Sequence, residues 1–416
     1  MRLSLRIRRH APWKLSTTYL AATLLSCASG STPAAVTPTA RAPAPRGGVA
    51  TSSVALPAGV RHVQVCGQSV PINAVRFACD RLDFEDLAPL AEFGELRELD
   101  LAQSGITDLR ALASRDQLRR LDLESTDVTD LAPLAGLKHL RRLRFSYRTT
   151  MVTGQPRVLT ALNRPTPKID LSPLSQLAQL EHLVLGEIAV ESLEPIRAAS
   201  GLRRLGLLSV EAPPGALTKL QGLSALERVV LFNSPCRELG AFASSPRMKE
   251  LFVHRCRRTD LRPLSALTEL EQLTLSSVEG RGARVLSALT QLRVLDIAAA
   301  NFDDYSFLSA LSALVSLDAS QSTLTNLAPL SKLPQLRELD AAGTKITRLD
   351  ALNTVKSLRS VTLSGDSGHA YKAPTEPDRK LDTAVKRLRI RRPELQIRYR
   401  DPSVTALVRT PAIWDD

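Results

Sequence analysis

The sequence predicts an α/β repeat fold, a curved solenoid whose parallel β-strands line the concave face, with a cap at each end. Three observations carry this. Of 416 residues 71 are leucine, while Phe, Trp and Tyr together make 4%, which suits one element copied many times rather than a mixed core. Leucines recur at a 22-residue spacing from residue 74 to 364. Within each copy two apolar residues stand two apart, as in a short strand with one buried face.

Taken in chain order, the first element is an export signal. Arg2, Arg6, Arg8, Arg9 and Lys14 precede a short apolar run, Leu15 to Leu25, and then Ser26-Cys27. That is the layout of a secretory signal over residues 1–26, too short to span a bilayer permanently. Leu24-Leu25-Ser26-Cys27 resembles the bacterial lipobox. The resemblance implies that Cys27 is acylated and begins the mature protein, anchoring it to the membrane, and Ala28 after it favours the outer membrane of a Gram-negative cell. Both the periplasm and the cell surface stay open. Residues 27–57 are Ala, Pro, Thr and Ser with few large apolar side chains, a composition that cannot offset chain entropy and predicts an unfolded tether with a mean reach of ~30 Å.

The N-terminal cap is expected over 58–73, with Val60, Val63 and Val65 as its strand. Repeats then start at Ala74, Leu96, Leu118, Leu140, Leu180, Leu202, Leu226, Met248, Leu270, Leu292, Leu314, Leu336 and Leu358. The spacing is 22 except for 40 after Leu140 and 24 after Leu202. Positions three and five residues into each copy, such as Leu121 and Leu123 or Leu295 and Ile297, are never polar. The second half of each copy places Asp or Asn ahead of Pro, as in Asp130-Leu131-Ala132-Pro133 and Asn326-Leu327-Ala328-Pro329, which is turn and cap chemistry for a short helical turn behind the strand. This pattern resembles the 22-residue leucine-rich repeat of bacterial surface proteins of the internalin type, over residues 74–364. The resemblance implies a leucine-rich repeat solenoid of about 12–13 units spanning roughly 60 Å at the usual strand spacing. Where that family often has Asn, eight residues in, this chain has Ser104, Thr126, Ser234, Cys256, Ser322 and Thr344, and also Ile188, Val210 and Val278, so a patchy hydrogen-bond ladder is expected. Residues 365–416 form the C-terminal cap and tail: a helix over Asp378 to Arg392 with Leu381, Val385 and Leu388 inward, then a strand Leu395 to Tyr399.

Cys66 follows the cap strand and Cys79 occupies a core column, a pairing expected to be a disulfide in an exported protein. Cys236 and Cys256 sit at different offsets in adjacent repeats, near the limit for bridging; a bridge and two buried thiols both stay open.

No catalytic constellation emerges. Gly365-Asp366-Ser367-Gly368 resembles the motif around the nucleophile of chymotrypsin-like proteases, but here it closes the last repeat instead of standing in a β-barrel. The six histidines do not pair at metal-ligand spacing and there is no CxxC, so neither a metal nor another cofactor is expected. The formal charge of +13 is too diffuse to indicate nucleic acid, and no small-molecule substrate is implied.

Function is therefore expected at two, four and six residues into each copy, which alternate with the core columns and face the concavity. Early repeats offer Arg120, Arg142 and Arg144 with Asp100 and Asp122. The middle offers Leu208, Val230, Phe232, Phe252 and His254 ringed by Arg204, Arg228 and Arg255, read as exposed partner-binding residues, with mutual packing of Phe232 and Phe252 as the other reading. The late zone stacks Asp296, Asp318 and Asp340, with Glu338 beside them and no flanking base, and two readings stay open, a site for a basic ligand or cation and a column screened by solvent alone. An 18-residue insertion near 146–168 and a C-terminal stretch, Arg379 to Arg400, with nine Lys or Arg, complete the irregular features. The expectation is a monomeric, lipid-anchored, non-enzymatic protein-binding scaffold. The alternative is a structural envelope protein whose basic cap contacts cell-wall polymer or anionic lipid.

Overall fold

The computed structural model describes residues 60–80, 83–147, 166–364 and 376–400. The signal, Cys27, the tether, most of the insertion and the Gly365 to Gly368 string lie outside the described residues.

Each repeat opens with a strand, and the strands form one parallel sheet in chain order, fourteen across. The repeats supply thirteen and the C-terminal cap adds Gln396–Arg400. The apolar columns are in register, Leu121 opposite Leu143, Leu143 opposite Leu183 and Leu183 opposite Leu205, and the pairing of Arg120–Thr126 with Arg142–Tyr147 shifts only past Leu123. The 40-residue step before Leu180 therefore leaves no shift in the sheet. Every residue of the two apolar columns is at most 5% exposed, each buried leucine contributing about 2 kcal/mol by transfer.

Behind each strand the chain makes a 3-10 turn, as in Ala132–Gly136 and Ala328–Lys332. The Asp or Asn ahead of the turn fixes its entry: Asp130 accepts the Ala132 N–H at 2.8 Å, Asp170 that of Ser172 at 2.8 Å and Asn326 that of Ala328 at 2.9 Å. Proline at the start of the turn has no N–H to lose. Four hydroxyls eight residues in donate to a carbonyl three residues back, Ser104 to Leu101, Thr126 to Leu123, Ser322 to Ala319 and Thr344 to Ala341, whereas Ser234 donates to the carbonyls of Leu207 and Phe232. Where that position is Ile188, Val210 or Val278, the next residue instead joins a neighbouring repeat by a parallel bridge: Ala189 to Glu211, and Glu279 to Asn301. Backbone pairing on the convex side thus takes over where the ladder has no hydroxyl.

A feature with no counterpart in the side-chain pattern stands seven residues into ten of the repeats. Gln103, Ser125, Glu187, Ser209, Asn233, Arg255, Ser277, Ala299 and Gln321 have φ between 49° and 62°, and Gly343 has 74°. A left-handed backbone costs a non-glycine residue about 1–2 kcal/mol. In most of these copies the same residue's N–H extends the sheet ladder, Glu187 to the Leu208 carbonyl at 2.9 Å and Ser209 to that of Phe232 at 2.7 Å.

The caps follow the expected plan with adjustments. The N-terminal cap is an antiparallel hairpin, His62–Val65 with Gln68–Pro71, which leaves Val60 outside the strand. Cys66–Cys79 is bridged, with Cα atoms 6.1 Å apart. The C-terminal helix spans Glu376–Arg391, burying Val385 and Leu388. Just beyond it Arg392 is 4% exposed and donates to the carbonyls of Leu352, Val355 and Leu358 at 2.9, 2.9 and 3.1 Å, satisfying the open end of the last turn. Cys236 and Cys256 are also bridged, Cα to Cα 5.9 Å.

Candidate functional site

The concave face is built from the outward positions of fourteen strands, and it is uneven. Over His182–Gly186, Arg204–Leu208, Arg228–Phe232 and Glu250–His254 the outward positions begin with His182, Arg204, Arg228 and Glu250, and those that follow are largely apolar. Val184, Val230 and Phe252 form a cluster separate from the main core, with Leu208 and Phe232 packed against it. The sheet itself divides the two apolar bodies.

The middle zone lies where the sequence places it, on the concave side, but its exposure is corrected. Val230 is 0%, Phe252 4% and His254 4% exposed, so these three are a platform and not a contact surface. Packing across strands covers them: neighbours in register stand close enough for large side chains to lean on one another, as Val230 does opposite Phe252 and Phe232 opposite His254. The His254 ring stacks on Phe232 at 4.9 Å, and its Nδ1 lies 2.7 Å from the Ser276 hydroxyl. Burial first, then the charge of Arg255, pushes the His254 pKa down to about 4, so the ring stays neutral at ordinary pH. Leu208 and Phe232 remain half-buried, with Arg204 and Arg228 half-buried beside them and Arg255 exposed. Arg228 meets Glu250 at 2.6 Å.

Two further members went unnoticed in the sequence. Val184 is an apolar residue at an outward position, a signal the column itself carried. Gly186 is the second: a Cβ there would come within 2.9 Å of the Ser146 Cβ, so glycine permits close packing beside Leu208. The Cys236–Cys256 bridge joins the segments that follow Arg228–Phe232 and Glu250–His254, tying together two of the four repeats that bear the cluster.

The acidic column is in register, Asp296 opposite Asp318 and Asp318 opposite Asp340. Each carboxylate accepts the N–H two residues on, from Ala298, Ser320 and Ala342, at 2.9 to 3.0 Å. Asp340 has a base after all: Arg400 of the cap strand reaches it at 2.5 Å. No residue near Asp340 in sequence announced this, because the partner arrives from the next strand of the sheet. Burial first, with Asp318 and Asp340 adding to it, pushes Asp296 up to about 6 against the hydrogen bond from Ala298. Among the described residues no group of three or more His, Cys, Asp or Glu could hold a metal ion.

In the early zone Arg144 brackets a nearly buried Asp122 at 2.5 Å and meets Glu124 at 2.9 Å. These charges pair locally. The basic cap likewise commits part of its charge to the fold: Arg392 to backbone carbonyls, Arg400 to Asp340, and Arg391 to Asp350 at 3.9 Å.

No protein-family model and no curated protein matches the chain. Solved structures do. An internalin from Listeria monocytogenes is similar with 25% identity and a TM-score of 0.56, over 70% of this chain and 78% of that one. A leucine-rich repeat protein from Leptospira interrogans aligns at 17% identity and a TM-score of 0.59, over 75% and 74% of the two chains. The TLR13–ssRNA13 complex aligns at 18% identity and a TM-score of 0.50, over 78% and 54%. With the 22-residue period, the fourteen-stranded parallel sheet and the two caps, these likenesses show a leucine-rich repeat solenoid that is similar to an internalin.

Proposed function

We propose that the protein is a non-enzymatic scaffold that recognises a macromolecular partner, a protein, through the concave face of its repeats. The observation that supports this reading is the cluster around Val230 and Phe252: apolar side chains on the outer side of a sheet that already has a complete core on its other side. Apolar groups there do not serve the main core, and a half-open pair, Leu208 and Phe232, offers contact area over a rigid base. A preordered solenoid loses little entropy on binding, and a few anchors of this kind supply most of the energy of a typical interface.

The proposal includes export and lipid anchoring. Two disulfides suit an oxidising compartment. They engage four of the five cysteines, and the remaining one, Cys27, stands where the lipobox resemblance puts the acylated residue. Envelope cross-linking and capture with the full-length protein tests the scaffold reading. Leu208→Glu with Phe232→Glu is expected to abolish capture while both melting temperature and disulfides persist; undiminished capture overturns it. Intact mass of the full-length protein against Cys27→Ala tests the anchor, with a diacylglycerol-sized increment expected only on the former.

A second reading, contact of the C-terminal cap with anionic lipid or cell-wall polymer, is favoured by Ile390, 82% exposed, and Tyr399, 43% exposed, near Arg389 and Arg398. Since Arg391, Arg392 and Arg400 are engaged within the fold, it ranks below the concave face.

A further inference from the structure

We propose that the groove between the last repeat and the C-terminal helix binds an acidic saccharide, its carboxylate or phosphate held between Arg348 and Arg387 and its hydroxyls on the polar groups of the two walls. This narrows the cap reading above to one ligand class and rests on it; the concave-face proposal stands or falls separately.

The groove, about 610 Å³ and open to solvent, lies on the turn side of the last repeat, away from the concave face. One wall is the helix Glu376–Arg391. Lys380, Thr383, Ala384, Arg387 and Leu388 stand three and four apart along it, which is one face of an α-helix, and Ala384 and Leu388 pack that face on the core. The other wall is the 3-10 turn Asp350–Asn353, with Thr347 and Arg348 just before it. Two elements far apart in sequence thus bring one exposed arginine each to a single groove.

Both guanidiniums are available to a ligand. Arg391, Arg392 and Arg400 are engaged within the fold, but among the described residues the side chains of Arg348 and Arg387 have neither ion pair nor hydrogen bond. Lys380 and Thr383 already have contacts within the fold, so the two arginines carry the charge. The acid on the wall, Asp350, has its carboxylate 3.9 Å from Arg391, a cation outside the groove. An anion between Arg348 and Arg387 is therefore met from both walls by planar donors suited to carboxylate and phosphate.

The remaining lining calls for a ligand rich in donors. Asn353 gives its amide N–H to the Asp350 carbonyl at 3.0 Å, while its Oδ1 is shut off from water and accepts no hydrogen bond among the described residues. A shielded acceptor without a donor is costly. Asn353 is only half-buried and lines the groove, so a ligand hydroxyl can supply that donor, and the Thr347 hydroxyl stands on the same wall. An acyl chain finds little surface here, because the apolar members Leu349 and Leu388 are each 2% exposed. An acidic peptide brings the carboxylate without hydroxyls beside it. A sugar ring bearing a carboxylate or phosphate brings both, and the volume is that of a small-molecule site.

Calorimetric titration of the full chain at physiological salt, where diffuse attraction is screened, tests this with trigalacturonate, glucose 6-phosphate, maltotriose, inorganic phosphate, hexaglutamate and phosphatidylglycerol vesicles. Trigalacturonate or glucose 6-phosphate is expected to bind about tenfold or more tightly than maltotriose, phosphate or hexaglutamate, and the tighter of the two identifies the anion as sugar carboxylate or sugar phosphate. Arg348→Gln with Arg387→Gln should weaken that binding about tenfold at an unchanged melting temperature. Arg389→Gln with Arg398→Gln removes equal charge from the cap outside the groove and should change it by less than about twofold. Equal loss in both double variants, or none in either, overturns the site. Phosphate or hexaglutamate binding as tightly as either acidic sugar overturns the saccharide assignment. Vesicles that bind without any saccharide response, and release on Ile390→Ser, overturn the proposal and leave the cap reading standing. No response to any probe overturns both.

Discussion

Replacing Asp296 by Asn isolates the energetic cost of the acidic column. The Asp296 carboxyl is pushed up to about 6 by burial and by Asp318 and Asp340, against about 3.9 in an unfolded chain. Below pH 4 both states hold the proton and the column carries no penalty. Between pH 4 and 6 the folded state keeps a proton that the unfolded state has released, so stability falls as pH rises. Above pH 6 both are ionised and the full difference, about 3 kcal/mol at 1.36 kcal/mol per unit, weighs against folding. Asn keeps the oxygen that accepts the Ala298 N–H at 2.9 Å and has no charge to desolvate. Urea unfolding at pH 5 and pH 8 reads the effect. Asp296→Asn should exceed wild type by about 1.5 kcal/mol at pH 5 and by about 3 kcal/mol at pH 8. A variant that is less stable at pH 8, or a difference that does not change with pH, would refute the view that burial and like charge strain this column.

Other perturbations test separate parts of the account. Cys236→Ala with Cys256→Ala opens a bridge spanning 20 residues and should cost about 3 kcal/mol, seen as a lower urea midpoint; an unchanged midpoint would show that the two repeats hold together without it. Arg392→Met leaves the Leu352, Val355 and Leu358 carbonyls without their donor and should cost about 3 kcal/mol or more. Hydrogen exchange should then be accelerated first in Ser360–Ser364, and even acceleration along the whole sheet would contradict a local capping role. Asp130→Ala removes the acceptor for Ala132 and should cost about 1 kcal/mol, with Asp130→Asn near wild type; equal losses in both would point to charge instead of the hydrogen bond. His254, held near 4 by burial and Arg255, should show no imidazole titration by NMR between pH 5 and 8 in folded protein. A midpoint near 6.5 would mean that the ring is open to water.

Much of this fold is legible because a repeat writes the same instruction many times. The two apolar columns, the Asp-before-Pro turns and both cap segments each reflect a local rule, and the structure places them with shifts of a residue or two. The left-handed step seven residues in was not legible: residues as different as Glu187, Asn233 and Ala299 adopt it, each giving its N–H to a backbone carbonyl of the next repeat, so their own side chains do not mark it. At the candidate site the face was readable from alternation alone, whereas exposure was not. Outward on a strand does not mean open to solvent when Val230, Phe252 and His254 have large neighbours in register. Arg400 against Asp340 was invisible for the related reason that adjacency across a sheet is not adjacency in sequence.

The most direct test of the central claim is hydroxyl-radical footprinting of the full-length protein, free and with its captured envelope partner. Recognition by the concave face predicts that oxidation of Leu208 and Phe232 falls on complex formation while Ile390 and Tyr399 are unchanged. Protection of Ile390 and Tyr399 with Leu208 and Phe232 unaffected would contradict it and move the contact to the C-terminal cap.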